Sequence, residues 1–235
     1  TSAHIESTEG VEVGLKAGVD TIEHGAPLTD ELLKLFKKNG LGNASSLTCT
    51  LSPALPFAVL SPEKTHSTHV QKVNGRVVYE GVATATRQAL ANGIPVGLGT
   101  DSACPFVTHY DMWREVVYFQ RHTGVTPEFA LHTATLKNAQ LLGVANETGS
   151  IETGKSADLI VLDANPLDDL CALRNVEQVY MAGKPVKYKA KHLPKIDAEL
   201  DGIMNGLDND PFVSEWNIAS EKKSLNPFAK RGTKE

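Results

Sequence analysis

The first 25 residues, 1-TSAHIESTEGVEVGLKAGVDTIEHG-25, decide how the rest of the chain is read. Two short apolar stretches, each ending in a histidine (His4 and His24), flank a segment whose apolar positions recur at helical spacing and which closes on Gly18. That is one β–α–β unit, and repeated units of this kind build a parallel sheet. Asp20 to His24 forms the second strand of the unit. Thr29 follows as a helix N-cap with Asp30 and Glu31 behind it, and Lys37-Lys38 close that helix, the polarity that the helix dipole favours.

The alternation continues. A weaker strand lies within 41–51, and residues 52–72, with Pro53, Pro56 and Pro62, read as a long irregular loop. Residues 75–91 carry Val78, Val82, Ala85 and Ala89 on one helical face, and the strand IPVGLGTDS comes directly after Asn92-Gly93. Two more helices are predicted, one near 111–122 and one opened by Thr126-Pro127-Glu128 that runs to Leu142-Gly143. From about residue 151 the texture changes to strands, ADLIVLD and then a hairpin VEQVYMAGKPVK turning at Ala182-Gly183-Lys184. The divisions are 1–150 for the βα region, 151–188 for the strands and 189–235 for a tail read as extended or partly disordered.

Composition sets the class of partner. The 235 residues are 41% hydrophobic and 22% charged with a net charge of −5, so a basic face for nucleic acid or anionic lipid is not expected. A small molecule or a dipeptide fits better. No apolar run approaches the roughly 18 residues of a membrane span. Cys49, Cys104 and Cys171 have no CxxC spacing, which points to a reducing, cytoplasmic setting rather than a disulfide framework.

Three strand ends carry a side chain able to ligate a metal: His4, His24 and Asp101 of GLGTDS. In a parallel β/α barrel the carboxyl ends of the strands converge on one face, so the three could share one site, suited to zinc or a similar divalent ion and to hydrolysis. The competing assignments are plain ones. A lone strand-end histidine is more often hydrogen-bonded or surface-exposed, and Asp101 could cap a turn. His109, shortly after Asp101, is a candidate substrate contact. His66 and His69 read as exposed loop residues, His132 as structural and His122 as a partner of its helix's dipole. Cys104 has no neighbouring base to make it a nucleophile, and Gly97-x-Gly99 lacks the remainder of a phosphate loop.

HIESTEGVEVGLKAGVDTIEHG, IPVGLGTDS, TPEFALHTATLKNAQLLGV, ETGSIETGKSADLIVLDANPLDDL and VEQVYMAGKPV, in that order over about residues 1–188, resemble the amidohydrolase superfamily, its imidazolonepropionase-like and prolidase-like members in particular. The resemblance implies a (β/α)8 TIM barrel with a small β-sandwich. It places His4 after the fifth strand, His24 after the sixth and Asp101 after the eighth, the last as metal ligand and general base in hydrolysis of a peptide, lactam or cyclic amide bond. The family also uses an HxH pair on strand one and, in many members, a carboxylated lysine or glutamate on strand four. No HxH occurs here, so the chain is expected to be the second half of the barrel plus C-terminal sandwich strands, completed by an N-terminal half-barrel segment or by oligomerisation. Two alternatives remain open, a non-catalytic fragment or interaction module and a deaminase. The latter is disfavoured because Ser7 stands where such enzymes place a glutamate.

Overall fold

The computed structural model describes residues 1–187 and 190–220, with side chains described up to 215. Four βα units come first: β1 (Ser2–Ile5), α1 (Thr8–Ala17), β2 (Thr21–His24), α2 (Asp30–Lys37), β3 (Ser46–Cys49), α3 (Leu55–Val59), α4 (Pro62–Thr65), α5 (His69–Ala91), β4 (Val96–Leu98), α6 (Met112–Thr123), α7 (Pro127–His132) and α8 (Asn138–Leu141). A π-helical turn, Thr133–Lys137, joins α7 to α8. The strands form one parallel sheet in the order β1-β2-β3-β4. Chain order and sheet order coincide, as expected of repeated βα crossovers.

The sequence signals for the first helices operate as read. Thr29 caps α2 and Gly18 ends α1 with φ of 86°, while Ser7, not read as a cap, caps α1; each hydroxyl accepts from a backbone N–H. The side of the sheet turned to the helices is apolar, with Ile22, Leu47, Val96 and Leu98 all buried. At Gly14 of α1 an added Cβ would come within 2.7 Å of Ile5 and 3.2 Å of Ile22, so the absence of a side chain lets helix and sheet approach.

Residues 52–72 are not an irregular loop. Pro56 and Pro62 lie in the first turns of α3 and α4, where proline loses no helical hydrogen bond. Helix α5 begins at His69, six residues before the start expected from its apolar spacing, because Thr68 and Gln71 form a capping box. Helix α3 then lies directly on α5 at Gly75, where a Cβ would meet Phe57 Cβ at 2.6 Å.

Beyond these units, β5 (Leu159–Leu162), β6 (Val176–Met181) and β7 (Lys184–Pro185) make an antiparallel sheet. The turn between β6 and β7 places Ala182 and Gly183 at φ of 49° and 75°, the left-handed pair of a tight hairpin. The tail also departs from expectation. Helices α9 (Pro194–Gly206) and α10 (Pro211–Ser220) follow, and Leu200, Ile203, Met204, Leu207 and Val213 are buried. The tail's charges meet basic side chains of the earlier helices: Glu199 pairs with Lys64, Asp201 with Arg114 and Arg174, and Asp210 with Arg76. The remainder of the tail, 221–235, and residues 188–189 lie outside the described residues. No helix among the described residues is long and apolar enough to cross a membrane.

Candidate metal centre and cleft

Strand β1 pairs with β2 so that His4 lies opposite Glu23 and Ile5 opposite His24. Strict alternation therefore puts His4 on one side of the sheet and His24 on the other, with Ile22 and the helices. The backbone overrides this. His24 has φ of 69°, a left-handed conformation that costs a non-glycine residue about 1–3 kcal/mol, and the strand ends there. Its ring centroid comes to 4.7 Å from that of His4, edge to face at 79°. Gly25 continues the turn at φ of 87°, with Leu47 at 2.7 Å from where its Cβ would be.

A third donor joins them. Glu6 is two residues beyond His4 and hence on the same side by alternation, and the ligand atoms of His4, Glu6 and His24 all lie within 4.8 Å of one another. Two imidazoles and a carboxylate at this separation fit one divalent ion while leaving a coordination position open. Burial is the main cause that depresses the basicity of His24, and the facing His4 adds to it. Such a histidine stays neutral, the form that ligates metal.

Asp101 is exposed, with φ of 55°, just past the end of β4. It is not among the donors within 4.8 Å, although its charge acts on His24 and its Oδ2 accepts from Cys104 Sγ at 3.2 Å. Burial, followed by the contact with Asp101, holds the Cys104 thiol above its usual range and thus in its unreactive protonated form. His109 is exposed on the loop before α6. Glu23, next to His24 in the chain, accepts from Ser2 Oγ at 2.5 Å.

The donor cluster opens into a cleft of about 360 Å3 between β3, α3 and α5, lined by Glu6, His24, Thr50, Phe57, Asn74, Val78 and neighbouring residues. The turn that shapes its floor is held from behind by Glu115 of α6, a buried carboxylate. Leu51 N–H donates to it at 2.7 Å, Ser52 N–H at 2.9 Å and Ser52 Oγ–H at 2.5 Å. Burial pushes this carboxyl up to about 7, against the pull of those three donors. Nothing in the sequence around Glu115 marks it, because its partners are more than sixty residues away.

His122 corrects a sequence expectation. Rather than attending its helix's dipole, it is fully buried. Its Nδ1 faces the Tyr118 carbonyl at 2.6 Å, so Nδ1 carries the proton and Nε2 accepts from the Tyr79 hydroxyl at 2.6 Å. Burial lowers its pKa to about 4.

A parallel βα sheet with a His/Glu/His donor cluster at its strand ends defines an α/β protein with a group of side chains that could hold a metal ion. The chain belongs to the Amidohydrolase family, whose profile matches residues 1–186. It is 27% identical over 190 residues to ochratoxinase of Aspergillus niger, covering 79% of this chain and 38% of that protein. It is 29% identical over 189 residues to imidazolonepropionase of Streptococcus sanguinis, covering 77% and 38%. A crystal structure of a candidate prolidase from Bifidobacterium longum superposes with a TM-score of 0.83 at 46% identity, covering 86% of this chain and 50% of that one. The chain thus spans about two fifths to half the length of these relatives.

Proposed function

We propose that the chain forms the second half of a (β/α)8 barrel with strands of the adjoining β-sandwich, and that it contributes to a metal-dependent centre hydrolysing a C–N amide bond. In this division 1–150 is the half barrel, 151–188 the sandwich strands and 189–235 the C-terminal segment. The observation that carries the proposal is the convergence of His4, Glu6 and His24 at consecutive strand ends of an Amidohydrolase family chain. The two imidazoles and Glu6 would hold the ion, most fittingly zinc, with Asp101 joining from the β4 end. A divalent cation bound there supplies a Lewis acid and lowers the pKa of water. Asp101 receives the proton of the attacking water and returns it to the leaving nitrogen. His109 is assigned to substrate contact, and a peptide, lactam or cyclic amide of small size is the substrate class.

Deamination is less well supported, since Ser7 is engaged as the α1 cap, accepting from Gly10 N–H at 3.0 Å. The alternative reading is a non-catalytic interaction module. The sheet's edge strands, β1 and β4, would then be completed by an N-terminal half-barrel segment or a second copy. The three free cysteines fit a cytoplasmic setting.

Hydrolysis of a dipeptide and lactam panel by the zinc-loaded full chain tests the catalytic proposal. Activity that a chelator removes, and that Asp101→Asn lowers by about 10²–10⁴-fold, is the expected result. A chain that binds zinc and cleaves none of the panel, alone or with the complementary half, rejects it.

A further inference from the structure

Two side chains of α6 hold polar atoms that are buried and that no other side chain or backbone group satisfies. Arg114 and Tyr118 are each 2% exposed, and among the described residues Arg114 Nη1 and Tyr118 Oη have no hydrogen-bond partner. Four positions apart, they share one face of the helix. Both line a small cavity with Ser52, Thr108 and Asp111, closed by Leu200 of α9. A buried donor left without an acceptor loses its full hydration, so native interiors supply a partner.

The size and charge of the cavity select that partner. Its volume is about 10 Å3, which admits one water and nothing larger. The guanidinium already faces two carboxylates, with Nε 3.2 Å from Asp111 Oδ2 and Nη2 2.8 Å from Asp201 Oδ1, so a small anion is repelled. Burial raises the Tyr118 phenol above its usual range, and it keeps a proton to donate. Ser52 offers the complement. Its hydroxyl hydrogen goes to Glu115 Oε2 at 2.5 Å, which leaves the oxygen lone pairs free to accept.

We propose that one ordered water is bound in this cavity, accepting from Arg114 Nη1 and Tyr118 Oη and donating to Ser52 Oγ. It ties α6 to the turn that shapes the floor of the cleft. Because Arg114 is paired with Asp201, helix α9 is joined through this water to that floor. The site is built from residues of this chain and involves neither the metal centre nor a substrate.

A high-resolution crystal structure of the full chain should show one density peak within about 3.2 Å of Arg114 Nη1, Tyr118 Oη and Ser52 Oγ. Tyr118→Phe, which keeps the ring and its packing, gives a second test in solution. With the water bound, the variant loses one hydrogen bond of the bridge, and the Ser52 amide should exchange its hydrogen about two- to twelvefold faster. Without the water, the variant removes only an unpaired buried hydroxyl. Exchange that is unchanged or slower therefore overturns the proposal, as does a cavity without density. An anomalous peak at that position in crystals grown with bromide overturns it too, because the occupant is then an anion.

Discussion

Glu115 and His122 are two fully buried ionisable side chains on one helix, α6, and burial shifts both toward neutrality. Their effects on stability have opposite signs. The carboxyl of Glu115 is raised from 4.5 to about 7, so its stabilising contribution is complete below pH 4.5 and lost as pH rises through 7. The imidazole of His122 is lowered from 6.5 to about 4, so its contribution is complete above pH 6.5 and lost as pH falls through 4. Between these limits the two slopes oppose, and the unaltered chain should show a nearly flat stability. Glu115→Gln should expose a stability that rises with pH by up to about 1.4 kcal/mol per unit, and His122→Gln one that falls by a similar amount. Urea unfolding from pH 4.5 to 7 measures both; a flat profile in either variant contradicts the assignment. Glu115→Gln should also cost about 1–3 kcal/mol at constant pH, since an amide nitrogen would face one of the three donors.

Glu6 shows what the sequence held at this scale and what it did not. The sequence reading passed over Glu6 as a donor, although His4-x-Glu6 at a strand end puts both side chains on one side by alternation alone. His24 was legible as a strand-end histidine, yet alternation pointed it to the helix side. Only the left-handed φ that ends β2 turns it to His4, and no residue type announces that turn when a histidine takes it.

At the level of elements, the helices with long periodicity and clear caps followed from the sequence, whereas α3 and α4 did not. Four or five residues give no helical period to detect, and proline at their first turns looks the same as proline in a loop. The C-terminal helices were hidden for a different reason. Their charged residues resemble a solvated tail until Lys64, Arg76 and Arg114, 87 to 135 positions earlier, are brought alongside. Helix α9 therefore belongs to the same core, and its contributions can be measured. Leu200→Ala should lower stability by about 2–5 kcal/mol through loss of buried contact. Asp201→Asn should cost about 1–3 kcal/mol, because it removes one carboxylate partner of the buried Arg114 guanidinium, which keeps Asp111. Denaturant unfolding in which both variants fall within about 0.5 kcal/mol of the unaltered chain would contradict this docking.

For the whole molecule, the order of the parallel sheet and the antiparallel sheet after it follow directly from the βα alternation and the change of texture near residue 151. What the sequence could not supply is the closure of the sheet. β1 and β4 are its edge strands, and at β4 the edge-facing backbone of the buried Leu98 is bonded on both groups by the Asn138 side-chain amide, at 2.9 Å each. A single side chain thereby does part of what a further strand does, a substitution visible only once α8 lies against β4.

Consecutive strand ends bring His4, Glu6 and His24 together as donors that could hold one cation. Zinc titration of the purified full chain, followed by metal analysis after dialysis, decides whether they hold it. About one equivalent should be retained, and His24→Ala or Glu6→Gln should lose it while keeping the far-ultraviolet circular dichroism of the parent. Retention of no zinc by the unaltered chain, or equal retention by His24→Ala, would contradict this binding.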